Sequence, residues 1–229
     1  MAARSRTRIA METDASPAAL SPLSLIQARI LGCLIEKEAT TPEAYPLTAN
    51  AVVLACNQKS NREPLMELEA GEVGHALREM ENLGLIKSVH GARAQRYEHR
   101  FSHMYSVTLR QQALLCVMLL RGPQTAAELF SRSERLGAAP DLDDVRQRLD
   151  RLSQRSPALV VNIGRGSGQR EDRYMHLLGG PVDAELLIQN IKATSPGSER
   201  GGLEARVEAL EADLAALRAQ LAELRNPAA

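Results

Sequence analysis

The stretch GEVGHALREMENLGLIKSVHGARAQRYEH, residues 71–99, decides the fold. Val73, Ala76, Leu77 and Met80 fall at helical spacing and make one apolar face. Gly84 then interrupts the helix, and two short segments flank Gly91, the second closing on Arg96-Tyr97-Glu98-His99. A helix that feeds a two-stranded hairpin is the second half of a winged helix-turn-helix unit. The stretch is also written twice. Val145, Leu149 and Leu152 repeat the apolar face, Leu159 to Ile163 repeat the first strand, and a Gly-rich turn leads to Arg173-Tyr174-Met175-His176.

What precedes each copy completes the unit. Ser24 with Gln27 forms a capping box for a helix carrying Ile26, Ile30, Cys33 and Leu34, which Thr40-Thr41-Pro42 stops. Tyr45-Pro46-Leu47 leads to Thr48, an N-cap for a second helix through Val52, Val53 and Cys56. A polar connector, Asn57 to Pro64, precedes the quoted helix. In the second copy Thr108 with Gln111 caps a helix bearing Leu114, Val117 and Leu120, which Arg121-Gly122-Pro123 ends. Thr125 with Glu128 opens a short helix, and Pro140-Asp141 with Asp144 starts the third, its acids placed where the helix dipole favours them. The expected fold is therefore mainly α with small β-hairpins (α+β), as two tandem winged helix-turn-helix domains and a C-terminal coiled-coil helix.

The spans expected are a disordered leader at 1–21, domains at 22–104 and 105–180, a short helix and flexible linker at 181–202, and the coiled-coil helix at 203–226. In the leader, Met11 is an alternative start to Met1 that would remove Arg4, Arg6 and Arg8. In the tail, Leu203, Val207, Leu210, Leu214, Leu217, Leu221 and Leu224 alternate by four and three, a heptad pattern. Its register favours a parallel pair, with Arg206 opposite Glu211 and Asp213 opposite Arg218; antiparallel or intramolecular packing stays open. A homodimer is expected, with the tail as an aid to it.

Composition narrows the function classes. The chain of 229 residues has no Trp and a formal net charge of zero, whereas dedicated nucleic-acid binders are usually basic. Neutrality still permits a local basic patch. Cys33, Cys56 and Cys116 stand far apart inside apolar runs, which reads as buried reduced thiols and a cytoplasmic protein. No apolar run has membrane-spanning length, so no membrane is expected as a partner. No catalytic constellation is present, and neither a metal site nor a cofactor is expected. Gly164 to Gly168 resembles a phosphate loop but lies between strands, and His99 with His103 lacks a third ligand.

The chain resembles the YceH family of bacterial proteins. The resemblance rests on Leu31-Gly32-Cys33-Leu34-Ile35-Glu36-Lys37-Glu38, on Tyr45-Pro46-Leu47, and on Ala55-Cys56-Asn57-Gln58-Lys59-Ser60-Asn61-Arg62-Glu63-Pro64. It continues through Tyr97-Glu98-His99-Arg100-Phe101 and Leu120-Arg121-Gly122-Pro123-Gln124-Thr125 to Arg170-Glu171-x-Arg173-Tyr174-x-His176-Leu177. It implies a tandem pair of winged-helix domains and carries no activity or site.

Winged helices most often bind DNA, the third helix entering the major groove and the wing meeting a phosphate backbone. The quoted helix is too acidic to read DNA, with Glu69, Glu72, Glu79 and Glu81 against Arg78 and His75. The candidate contacts in the first copy are instead Lys59, Asn61, Arg62, Arg93 and Arg96. The second copy offers Arg146, Gln147 and Arg151 on its helix, residue types that read guanine and adenine edges, and Arg165 and Arg170 on its wing. Six such cations on phosphates would give log K against log salt a slope of about −5. The alternatives are solvated faces, with Arg96 and Arg173 as structural partners of carboxylates, and a repeated Tyr-x-His that packs each wing on its helices. The polar run Asn57 to Arg62 exceeds what a turn needs and is read as functional. Two functions follow: a homodimeric, transcription-regulator-like protein that binds double-stranded DNA, or a protein–protein adaptor without DNA binding.

Overall fold

A computed structural model of the chain describes residues 21–90, 94–137, 140–166 and 170–193. The leader with Met11, Arg93, and the heptad run from Leu203 to Leu224 lie outside the described residues. No helix among the described residues is long and apolar enough to cross a membrane.

The local signals place the elements. α1 spans Leu25–Thr40, and Ser24 and Gln27 exchange backbone-to-side-chain hydrogen bonds of 3.2 and 3.0 Å at its start. Pro42 opens a 3-10 turn, Pro42–Ala44, and β1, Leu47–Thr48, follows. The Thr48 hydroxyl then caps α2, Ala49–Cys56. α3 is Ala70–Asn82, and the strands β2, Ile86–His90, and β3, Gln95–His99, follow Gly84, whose φ of 72° suits the helix exit. α4, Phe101–Tyr105, leads out of the first unit.

The second unit repeats that order. It comprises α5 (Leu109–Arg121), β4 (Gln124–Thr125), α6 (Ala126–Ser133), a 3-10 turn (Glu134–Leu136), α7 (Leu142–Ser153), β5 (Val160–Gly164) and β6 (Arg173–His176). α8, Ala184–Ala193, ends the described chain. Each unit closes a three-stranded antiparallel sheet with its last strand in the middle, ordered β1-β3-β2 and β4-β6-β5. The registers match position for position: Leu47 faces Tyr97 and Thr48 faces Arg96, as Gln124 faces Tyr174 and Thr125 faces Arg173. The chain is thus mixed α+β, and its repeat in sequence is a repeat in topology.

The two units nonetheless share one core. α1 is buried continuously from Gln27 to Ile35 and α5 from Gln111 to Leu120, as expected of helices covered on every side. They pack directly on each other. Gly32 sets the approach: a Cβ there would stand 2.9 Å from Leu120 Cγ and 3.2 Å from Leu119 Cβ. At the far end the Leu23 N–H donates to Leu178 O at 2.8 Å, joining the start of the first unit to the end of the second. All three cysteines are free and buried in this core.

Candidate nucleic-acid interface

The second unit builds a concave face from α7 and the β5–β6 hairpin. The Asp141 carboxylate accepts the Asp144 N–H at 2.8 Å and starts α7. Burial of Val145, Leu149 and Leu152 turns the opposite side of that helix outward, so Arg146, Gln147, Asp150 and Arg151 are exposed. Arg165 follows β5 and Arg170 precedes β6, and both are exposed. Arg146, Arg165, Arg170 and Tyr174 line one hollow of approximately 290 Å³ together with the carboxylates of Glu171 and Asp172. The fold thus brings three of the sequence candidates to one place, and adds Tyr174.

The charges in this hollow are lightly held. Arg146 pairs with Asp143 at 3.0 Å, but the two side chains are 53% and 89% exposed, and such surface pairs exchange readily for another anion. Asp172 accepts from Asn162 Nδ2 at 3.1 Å. Burial, then the charges of Asp150 and Asp172, raise the Tyr174 phenol above its ordinary value, so it stays protonated and able to donate. Arg148 serves the helix instead, gripping Asp144 with two hydrogen bonds of 2.6 and 2.7 Å.

The first unit's candidates fare differently. Arg62 is an interior residue: its side chain is fully buried and forks onto Glu36 at 3.2 and 2.5 Å, while its other donors meet Ala55 O and Asn61 O. A nucleic-acid phosphate cannot reach it there, so Arg62 leaves the candidate surface. Asn61 accepts from Arg121. Asn57 holds Leu68 through both its oxygen and its nitrogen, and Gln58 meets Lys37 and Ser60. The polar run therefore pins the connector to the fold, contrary to the functional reading given to it, and Lys59 alone projects free and exposed.

Arg96 and Arg173 perform the same task in their two copies. Arg96 donates to Pro46 O at 2.7 Å, and Arg173 to Pro123 O at 3.1 Å and to Glu128 at 2.8 Å. Each thereby ties the middle strand to the segment leading into the unit's short first strand, β1 or β4. Arg96 finds backbone carbonyls where a carboxylate was expected. In the first copy the Tyr-x-His pair is also scaffold: Tyr97 is buried, and His99 donates through Nε2 to Glu38 at 2.8 Å while its Nδ1 accepts the Phe101 N–H. That contact holds the Glu38 carboxyl below the usual range. His176 is buried, and burial pushes it down to about 4.

The acids of α3 are likewise used by the fold. Glu72 accepts the Glu69 N–H at 2.8 Å, Glu79 meets Gln27 and His75, and Glu81 accepts the Ser88 N–H at 3.1 Å. Sequence reasoning missed Arg29, which is 1% exposed and donates to Cys56 O and Pro64 O at 3.2 and 2.6 Å, anchoring α2 and the connector. Its position one residue before Ile30 in an apolar helical run was the available signal. Among the described residues no group of three or more His, Cys, Asp or Glu is placed to hold a metal ion.

Comparison with known proteins places the chain. The family described as "Protein of unknown function, DUF480" matches residues 23–169. A UPF0502 protein of Xanthomonas oryzae pv. oryzae is 53% identical over 202 residues, covering 86% of this chain and 89% of the relative. One from Mesorhizobium japonicum is 51% identical over 188 residues, with 82% and 89% covered. One from Stenotrophomonas maltophilia is 53% identical over 190 residues, with 82% and 87% covered. The chain belongs to this DUF480 and UPF0502 family, in agreement with the resemblance to YceH proteins.

Proposed function

We propose that each repeat is a winged helix and that the chain is a regulatory DNA-binding protein acting as a homodimer. In this reading it places α7 in the major groove and the second wing on a phosphate backbone. The observation that carries the reading is the hollow where Arg146, Arg165, Arg170 and Tyr174 converge between helix and wing. The element order and the β1-β3-β2 and β4-β6-β5 sheets support the winged-helix assignment. The heptad pattern after Leu203 supports the dimer. The reading includes no enzymatic step, and it locates the protein in the cytoplasm, in keeping with three free thiols.

Fluorescence anisotropy with random-sequence duplex across a salt series tests it. Arg146, Arg151, Arg165 and Arg170 on phosphates give a slope of about −3.6, and replacing Arg146, Arg165 and Arg170 by Ser brings it to about −0.9. No binding at low salt, or a triple variant with the slope unchanged, overturns the proposal.

The adaptor reading has its own support in the first unit, where Leu54 is 67% and Leu65 63% exposed. A stoichiometric protein partner, lost in a Leu54→Ser, Leu65→Ser variant, together with no DNA binding, selects it over the first.

A further inference from the structure

A second basic concavity lies between the repeats, and the DNA reading leaves it unused. α1, the connector, the end of α5, and α6 with its following turn enclose a cleft of approximately 190 Å³. Arg121, Arg132 and Arg135 line it against a single carboxylate, Glu36. Both oxygens of Glu36 already accept from Arg62. Arg121 donates to the amide oxygen of Asn61, a neutral group, and among the described residues it has no ion pair. Arg132 meets Gln124 and, at 3.5 Å, Glu128, but Glu128 is shared with Arg173 at 2.8 Å. Arg135 is exposed and has no ion pair among the described residues.

The one carboxylate lining the cleft is thus outnumbered and already engaged, and Glu63, which also acts on Arg121, lies outside the lining. Burial first, then repulsion from Arg132, hold the Arg121 guanidinium below its ordinary value, with Arg62 adding to the repulsion and Glu63 and Glu36 opposing it. That is the behaviour of a cation short of an anion. Guanidinium forks match the oxygens of a tetrahedral oxyanion and bind them through paired, charge-assisted hydrogen bonds. Ser131 also lines the cleft and brings a further hydroxyl-bearing side chain.

We propose that this inter-repeat cleft binds a small phosphate-bearing anion, either inorganic phosphate or the phosphate monoester of a small metabolite, held by Arg121, Arg132 and Arg135. The cleft shares no lining residue with the hollow at α7, so the two sites are separate and this one does not depend on the DNA reading. Its occupant would link α1 and the connector to α5 and α6. Because α6 packs on α7, the anion would steady the seat of the helix that carries Arg146.

The test uses the full chain in isothermal titration and thermal unfolding, with inorganic phosphate and glycerol 1-phosphate as probes and sodium chloride at matched ionic strength as reference. The expected result is a saturable rise in Tm beyond that of chloride. Arg135→Ser, at an exposed position, weakens binding about tenfold and leaves the unliganded Tm unchanged, and Arg121→Gln weakens it as well. An Arg146→Ser, Arg165→Ser variant retains the wild-type affinity. Tighter binding of the monoester identifies a metabolite, and equal or weaker binding identifies free phosphate. No rise beyond chloride, or binding lost in the Arg146, Arg165 variant and kept in Arg135→Ser, overturns the site.

Discussion

Arg62→Met separates a residue of the fold from a residue of a binding surface. In the structure the guanidinium of Arg62 is fully enclosed, paired with Glu36, and bonded to the carbonyls of Ala55 and Asn61. Removing one partner of a buried ion pair costs about 3–5 kcal/mol, most of it from the charge left behind. The Glu36 side chain retains 14% exposure, so water recovers part of its charge and the lower end, about 3 kcal/mol, applies. With a urea m-value of about 2 kcal/mol per molar, the unfolding midpoint falls by about 1.5 M. The assay is urea unfolding followed by circular dichroism. Glu36→Met in the same chain should recover part of the loss, because two apolar groups in place of a buried pair are often near neutral. A midpoint within about 0.2 M of wild type, or weaker DNA binding with the midpoint unchanged, refutes the interior assignment and returns Arg62 to the surface.

Three further outcomes follow from the same geometry. Gly32→Ala drives a Cβ to 2.9 Å from Leu120 Cγ and should cost about 1–2 kcal/mol in urea unfolding despite the gain in helix propensity, with Leu120→Ala relieving the clash. His176 is pushed down to about 4 against about 6.5 unfolded, so its contribution is complete above about pH 6.5. It falls by about 1.4 kcal/mol per unit as the pH drops toward 4, roughly 3 kcal/mol in all, and His176→Phe should flatten the stability profile across that window. Deleting 203–229 should lower the mass seen by light scattering or make it dilute away, and an unchanged mass shows the heptad run to be dispensable.

What the sequence disclosed was local. Ser24, Thr108 and Thr125 act on residues three positions ahead, so the capping boxes they predict are present in the fold. The short strands Leu47–Thr48 and Gln124–Thr125 were not legible, because two residues paired with a distant strand leave no periodicity. α4 escaped for the same reason, being only a turn long after β3. The shared core was half visible. Leu114, Val117 and Leu120 mark only part of α5, whereas Ala113 to Leu120 contains no polar residue beyond Cys116, and such a run points to a helix buried all round. Charge misled most. Arg62 was read as a surface contact from its type and its polar neighbours, and the carbonyls and carboxylate that enclose it, brought in from other elements, show otherwise.

The duplication explains why one copy offers a surface and the other does not. Both copies keep the contacts that build the unit, the arginine of the middle strand on a proline carbonyl and the Tyr-x-His packed inward or half inward. They differ in what the third helix does with its polar side chains. In α3 Glu72 caps the helix's own start, while Glu79 and Glu81 bond to α1 and β2, so that helix is braced by its acids. In α7 the bracing falls to Asp144, which Arg148 grips and Arg110 approaches at 3.9 Å. Arg146 and Arg151 stay on the outer side of the helix, Arg146 paired with the exposed Asp143 and sharing its hollow with Glu171 and Asp172. Gly32 and the enclosed α1–α5 contact fix the two copies against each other. A charge change on α3 therefore loosens a scaffold, whereas a charge change on α7 alters a surface, and the two should separate cleanly when stability and duplex affinity are measured on the same variants.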